Sequence, residues 1–191
     1  MNRYFLPLLL TTFTLVSAQS GTPSGGAGAD AVPAQLGASA VLKNTQGKTI
    51  GNVNFTSPTG SDSYVTVQVG LQPDAGLQPG EYGFHVHQVG KCTPTFDAAG
   101  DHLNPEGKAH GLLNPEGPHA GDLPNVVIGQ DGTTTYAVNT KRFTLESGGT
   151  LFDEDGSAVM LHAQGDDYVT DPSGNSGDRI ACGVIEQENG N

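Results

Sequence analysis

The chain holds six histidines, and their spacing sorts all six into one metal-ligating pattern. His85 and His87 stand two apart in a run that reads as β-strand, so both rings point to one face. His102, His110 and His119 follow in a loop rich in Gly, Pro and Asn, with Asp122 just behind. Three imidazoles and one carboxylate make a closed tetrahedral set of the kind zinc takes. His162 closes a later strand-like run, Val159-Met160-Leu161-His162. With the H-x-H pair it brings three imidazoles from two strands. A fourth in the same plane would give the tetragonal nitrogen coordination that copper(II) prefers, and spacing alone leaves open which loop histidine supplies it. Imidazole is the commonest side-chain ligand for such ions near neutral pH.

The elements that must carry these residues read as strands. Ala38 to Lys43 and Thr49 to Phe55 are joined across Thr45-Gln46-Gly47. In Ser63 to Val69, Tyr64, Thr66 and Gln68 alternate with Val65, Val67 and Val69, the period of a half-buried strand. Tyr82 to Val89 is a fourth. Asn125 to Gln130 and Thr133 to Val138 flank Asp131-Gly132, a hairpin signal. Ala158 to His162 follows Asp155-Gly156, and Arg179 to Ile185 comes last. About eight short strands with no helical period predict an all-β, antiparallel sandwich or flattened barrel. Two long loops, Gly90 to Pro124 and Ala163 to Asp178, adjoin the histidines, and loops of that length in a compact domain are usually functional.

Composition agrees. The chain has 191 residues with 28 Gly, 12 Pro and no Trp, which favours strands and turns. A formal charge of −12 argues against nucleic acid or an anionic membrane as partner. Residues 1–18 read as a secretory signal peptide: Arg3 is the positive end, Phe5 to Val16 the apolar core, and Val16-Ser17-Ala18 the cleavage site. The apolar run is shorter than the ~20 residues a bilayer span needs, so no stable membrane span is expected once the leader is gone. Residues 19–37 are Gly, Ala, Ser, Thr and Pro-rich and read as a flexible tether; the folded domain is expected over 38–191. Cys92 and Cys182, the chain's two cysteines, would be exported with it, into a periplasmic or extracellular setting where a disulfide can persist.

Several motifs now fall into register with a known family. Gly83-Phe84-His85-Val86-His87 resembles the copper-binding signature of Cu/Zn superoxide dismutases. Gly100-Asp101-His102-Leu103-Asn104-Pro105, Lys108-Ala109-His110-Gly111 and His119-Ala120-Gly121-Asp122-Leu123-Pro124-Asn125 resemble that family's zinc loop in order and spacing. Gly177-Asp178-Arg179-Ile180-Ala181-Cys182-Gly183-Val184-Ile185 resembles its C-terminal signature. The resemblance runs from about Ala38 to Ile185 and implies an eight-stranded Greek-key barrel of the exported, bacterial type.

It also implies roles. Copper would be bound by His85, His87, His102 and His162, and zinc by His102, His110, His119 and Asp122. His102 would join the ions as an imidazolate, an anion that two divalent cations stabilise. Asp166 would link His85 to His110 from behind, as carboxylates that orient ligand rings do. Cys92 and Cys182 would form the family's disulfide. Arg179 would guide superoxide, and His102 would carry a proton to the product. The implied reaction is dismutation of superoxide to dioxygen and hydrogen peroxide, as an antioxidant defence, by a protein that the family admits as a monomer or homodimer. The competing reading is a non-catalytic relative that kept the barrel for metal binding or interaction. Such relatives usually lose a ligand or the arginine, whereas every one of these residues is present here.

Two departures bear on substrate delivery. No lysine lies between His162 and Arg179, where many family members carry steering lysines, and Asp178 sits directly beside Arg179. Lys91 and Lys108, in the other long loop, are the candidates to compensate, since charge acts locally within a Debye length of ~8 Å.

Overall fold

The computed structural model describes residues 35–58 and 64–188. The expected leader, the tether up to residue 34, and Ser63 lie outside the described residues. Among the described residues there are nine strands: β1 (Gln35–Asn44), β2 (Thr49–Pro58), β3 (Val65–Leu71), β4 (Gly80–His87), β5 (Asp122–Ile128), β6 (Tyr136–Thr140), β7 (Ala158–His162), β8 (Arg179–Val184) and the two-residue β9 (Glu186–Gln187). A single 3₁₀ turn, Phe96–Ala99, sits between β4 and β5. β1 begins at Gln35, inside the stretch expected to be tether.

All pairings are antiparallel, in the order β5-β4-β7-β8-β1-β2-β3-β6, with β9 against β1. The path wraps into a flattened barrel whose ends are β5 and β6, and one bridge, Ile128 to Thr134, joins the end of β5 to the segment that leads into β6. The expected hairpin over Asp131-Gly132 is therefore only partly formed. The turn is there, with Gly132 at φ 76° and its N–H bonded to the Gly129 carbonyl. Beyond it the chain leaves β5, and β6 pairs with β3 in register from Val65–Thr140 to Val69–Tyr136. Sheet closure outcompetes the local hairpin because it buries the inner face of β6.

The strand period decides what each face does. In β4, Phe84 and Val86 enter the barrel core, with Val159 and Leu161 of β7 beside them. The core continues through Leu42, Val53, Phe55, Val67 and Leu145. His85 and His87 therefore face outward, as do Met160 and His162 on the adjacent strand. That outer face is covered by the two long loops, so the histidines are buried although they lie outside the barrel. A small second cluster of Ala99, Ala158, Met160 and Cys182 fills the space beside them.

Candidate metal centre

Cross-strand pairing sets the first donor group. His85 lies opposite Met160, His87 opposite Ala158, and His162 opposite Arg179 across a local shift in register. Gly83 makes room: a Cβ there would stand 2.7 Å from the Ser176 Cβ and 3.4 Å from the His162 Cβ. His102 arrives from the loop and forms a bridge to His87. The ligating atoms of His85, His87, His102 and His162 lie within 4.8 Å of one another.

The ring nitrogens divide cleanly. His87 Nδ1 pairs with the Gly100 carbonyl at 2.9 Å, His162 Nδ1 with the Gly177 carbonyl at 3.1 Å, and His85 Nε2 with Asp166 Oδ2 at 2.7 Å. Each bond fixes one nitrogen as the donor and turns the other, lone-pair nitrogen inward. His85 Nδ1, His87 Nε2, His102 Nε2 and His162 Nε2 are all buried and lack any hydrogen-bond partner. A buried polar atom left unpaired costs free energy. Four of them converging from four residues fit one cation.

The second group is His102, His110, His119 and Asp122. Asp122 Oδ1 lies 3.0 Å from His102 Nδ1, 3.1 Å from His110 Nδ1 and 3.4 Å from His119 Nδ1, and the last two imidazoles of the loop close on His102, with His119 Nδ1 3.4 Å from His102 Nδ1. A zinc tetrahedron with bonds of about 2.0 Å has edges of about 3.3 Å. These separations match the edges of such a polyhedron, and that accounts for one oxygen drawing three rings at once better than hydrogen bonding does. Asp122 Oδ2 is held separately by the N–H groups of Gly111 and His119, each at 2.9 Å.

Asp166 joins the two groups. Its Oδ2 takes His85 Nε2, and its Oδ1 takes His110 Nε2 at 3.0 Å. The aspartate is itself clamped: the Asn125 side chain bonds its N–H at 2.9 Å and its carbonyl at 3.0 Å, and the Tyr168 N–H donates to Oδ1 at 2.6 Å. Tyr168 adopts φ 64°, uncommon for a bulky residue, and its hydroxyl accepts the Asn125 N–H at 2.7 Å. Gly174 passes so close that a Cβ would collide with the Asp166 carboxylate. Asn125 and Tyr168, and the carbonyls of Gly100 and Gly177, were given no role from sequence. Their one sequence signal is proximity to motifs, Asn125 at the end of the zinc-loop motif and Tyr168 two residues after Asp166.

Burial holds the imidazoles of His85, His87 and His162 neutral. It lowers His85 to about 3 and His162 to about 4, and His87 well below its ordinary value. The Arg179 charge pushes His87 and His162 further the same way. His110 behaves oppositely. Burial alone would lower it, but bonds to Asp122 and Asp166 overcome that and raise it to about 9. The Asp122 and Asp166 carboxyls, despite burial, are drawn far below the usual carboxylate range by the rings bonded to them.

The remaining residues frame the approach. Cys92 and Cys182 form a disulfide with Cα atoms 5.8 Å apart. Arg179 Nη1 donates to the Phe96 carbonyl at 2.9 Å, and among the described residues no ion pair joins Arg179 to Asp178. Lys91 is exposed. Lys108 is ion-paired with Glu106 at 2.8 Å.

A flattened antiparallel barrel with two adjoining donor groups that share one imidazole is the frame of a binuclear metalloprotein. Comparison with known proteins specifies it. Residues 49–185 match the family of copper/zinc superoxide dismutases (SODC), and the chain belongs to that family. Its cofactors are accordingly copper and zinc. Superoxide dismutase (Cu-Zn) 2 of Aquifex aeolicus (strain VF5) is 46% identical over 154 residues, covering 78% of this chain and 86% of that protein. The superoxide dismutase-like protein YojM of Bacillus subtilis (strain 168) is 43% identical over 149 residues, covering 75% and 73%. A crystal structure of a SOD-like protein from Bacillus subtilis superimposes with a TM-score of 0.68 at 40% identity, covering 76% of this chain and 96% of that one.

Proposed function

We propose that this chain is an exported superoxide dismutase, with copper at His85, His87, His102 and His162, and zinc at His102, His110, His119 and Asp122. The observation that carries the reading is the set of four buried, unpartnered ring nitrogens, one from each proposed copper ligand. Names among the relatives include both dismutases and dismutase-like proteins. The complete donor set together with Arg179 supports the catalytic reading for this chain.

Held by these residues, copper would supply a one-electron redox couple and zinc would supply charge without redox chemistry. The chain's own residues do the rest. Arg179, held by the Phe96 carbonyl, presents a guanidinium that attracts a small anion and hydrogen-bonds it. His102 would deliver one proton to the reduced substrate from its Nε2 face, the second coming from water, while its Nδ1 lies beside Asp122 and His119. Two superoxide anions and two protons thereby become dioxygen and hydrogen peroxide. Asp166 keeps His85 and His110 in fixed orientation. Lys91 and Lys108 are assigned to steering. The Cys92–Cys182 bridge supports an oxidising compartment outside the cytoplasm.

The test is superoxide consumption by the metal-loaded chain beside His162→Ala, with metal content measured on the same samples. The wild type turns over superoxide, and the variant loses activity while keeping zinc. A metal-replete wild type that leaves superoxide untouched overturns the proposal.

A further inference from the structure

The barrel is weakly laddered where it closes. Among the described residues no ladder joins β5 to β6; a single bridge links Ile128 to Thr134, two residues ahead of β6. Two side chains from the β6 side span the gap. Tyr136 Oη donates to the Pro124 carbonyl at 3.1 Å, and Arg142 donates through Nη2 to the Asp122 carbonyl. Both bonds end on the first three residues of β5, and the first of these is the carboxylate around which three imidazoles gather.

Arg142 is an unusual choice for a mere tie. It is half-buried, its Nε is buried without a partner, and among the described residues no carboxylate pairs with its guanidinium. Its own N–H donates to Thr140 Oγ1 at 3.2 Å, which fixes the turn that aims it. Taking a guanidinium partly out of water for one carbonyl is unfavourable by itself. A neutral donor could close the gap, as the Tyr136 hydroxyl does. The cation lies instead against the residue whose carboxylate carries the negative charge of the zinc group.

We propose that Arg142 is a positioning residue for Asp122: by holding that residue's carbonyl it sets the backbone orientation from which the carboxylate reaches His102, His110 and His119. This rests on the zinc assignment above. Tyr136 supplies the control, because its bond closes the same gap two residues beyond the ligand.

The experiment compares wild type, Arg142→Met, Arg142→Lys and Tyr136→Phe as full chains without copper. Zinc affinity is measured by chelator competition, and the visible spectrum of cobalt(II) bound in place of zinc is recorded. Arg142→Met is expected to weaken zinc about 10- to 100-fold, the range for residues that orient metal ligands, and to change the cobalt spectrum. Arg142→Lys, which keeps a charged donor, restores part of both. Tyr136→Phe lowers thermal stability but leaves affinity and spectrum as in wild type. Unchanged zinc affinity and cobalt spectrum in Arg142→Met, or changes in Tyr136→Phe as large as those in Arg142→Met, overturn the inference alone. Should Arg142→Met fail to fold, Arg142→Lys set against Tyr136→Phe decides: wild-type values in Arg142→Lys with altered ones in Tyr136→Phe overturn it, and the reverse supports it. A wild type that binds neither ion overturns the zinc assignment as well.

Discussion

Arg179 takes its position from Phe96: the guanidinium bonds the Phe96 carbonyl at 2.9 Å, and Phe96 belongs to the loop that the Cys92–Cys182 bridge ties to β8. The same loop supplies the Gly100 carbonyl that orients His87 at 2.9 Å. One covalent link thus fixes both a proposed copper ligand and the proposed anion guide. Reduction, or Cys92→Ser, should lower kcat/KM roughly 10- to 100-fold through misplacement of these groups. It should also cost about 2–5 kcal/mol of stability, the range for a native bridge in a small exported domain. Stopped-flow superoxide decay and denaturant unfolding on oxidised and reduced samples check both. Equal rates would sever the loop from the site.

Asp166 spans the two donor groups, so its loss should be felt by both. Asp166→Ala removes the partners of His85 Nε2 and His110 Nε2 and leaves two buried ring nitrogens unpaired. Metal affinity should fall about 10- to 100-fold. Asn125→Ala, which removes the clamp on the Asp166 backbone, should reproduce a smaller part of that loss. Competition titrations with zinc and copper measure both variants.

Substrate steering should rest more on Lys91 than on Lys108, because Glu106 partly neutralises Lys108. Lys91→Glu should lower kcat/KM by on the order of a few-fold at low salt and flatten its dependence on ionic strength. Lys108→Glu should do so more weakly, and Glu106→Gln should raise the rate. Rates that do not change with salt in any of the four proteins would remove both lysines from the mechanism.

Zinc uptake should release protons. In the metal-free fold His110 is raised to about 9 by Asp122 and Asp166, so at pH 7.5 its Nδ1 carries a proton where the cation would sit. Calorimetric titration of zinc in buffers of different ionisation enthalpy should report about one proton released per zinc. The stability of the metal-free fold follows with a definite sign. His110 binds its proton more tightly folded than unfolded, so its contribution is complete below about pH 6.5 and is lost as pH rises through about 9. His85 and His162, lowered to about 3 and 4, act in reverse: below about pH 6.5 the unfolded chain takes protons that the buried rings refuse, and stability falls toward pH 4.

The strand that carries His162 was legible to the residue, since Ala158 to His162 is an apolar run bounded by turn signals. β5 was not. It begins at Asp122, ahead of the expected Asn125, because Pro124 hides the strand signal. Pro124 falls where the β4–β5 register shifts, on the strand that ends the sheet path, so its missing N–H interrupts no ladder. The same contrast holds at the site. The histidines and Asp122 advertise themselves by type and spacing, whereas Asp166 is marked only by the family resemblance. The Gly100 and Gly177 carbonyls that aim His87 and His162 carry no such mark, for every residue has a carbonyl and its direction is set only by the fold. Arg142 stayed hidden because its partner is likewise a carbonyl.

The account turns on His102 serving two cations, with Nε2 on one side and Nδ1 on the other. Anomalous diffraction from crystals of the copper- and zinc-loaded chain, collected at both absorption edges, tests this directly. The predicted result is two distinct peaks flanking the His102 ring, copper toward Nε2 and zinc toward Nδ1. A single peak, or two peaks of which only one contacts that ring, would contradict it.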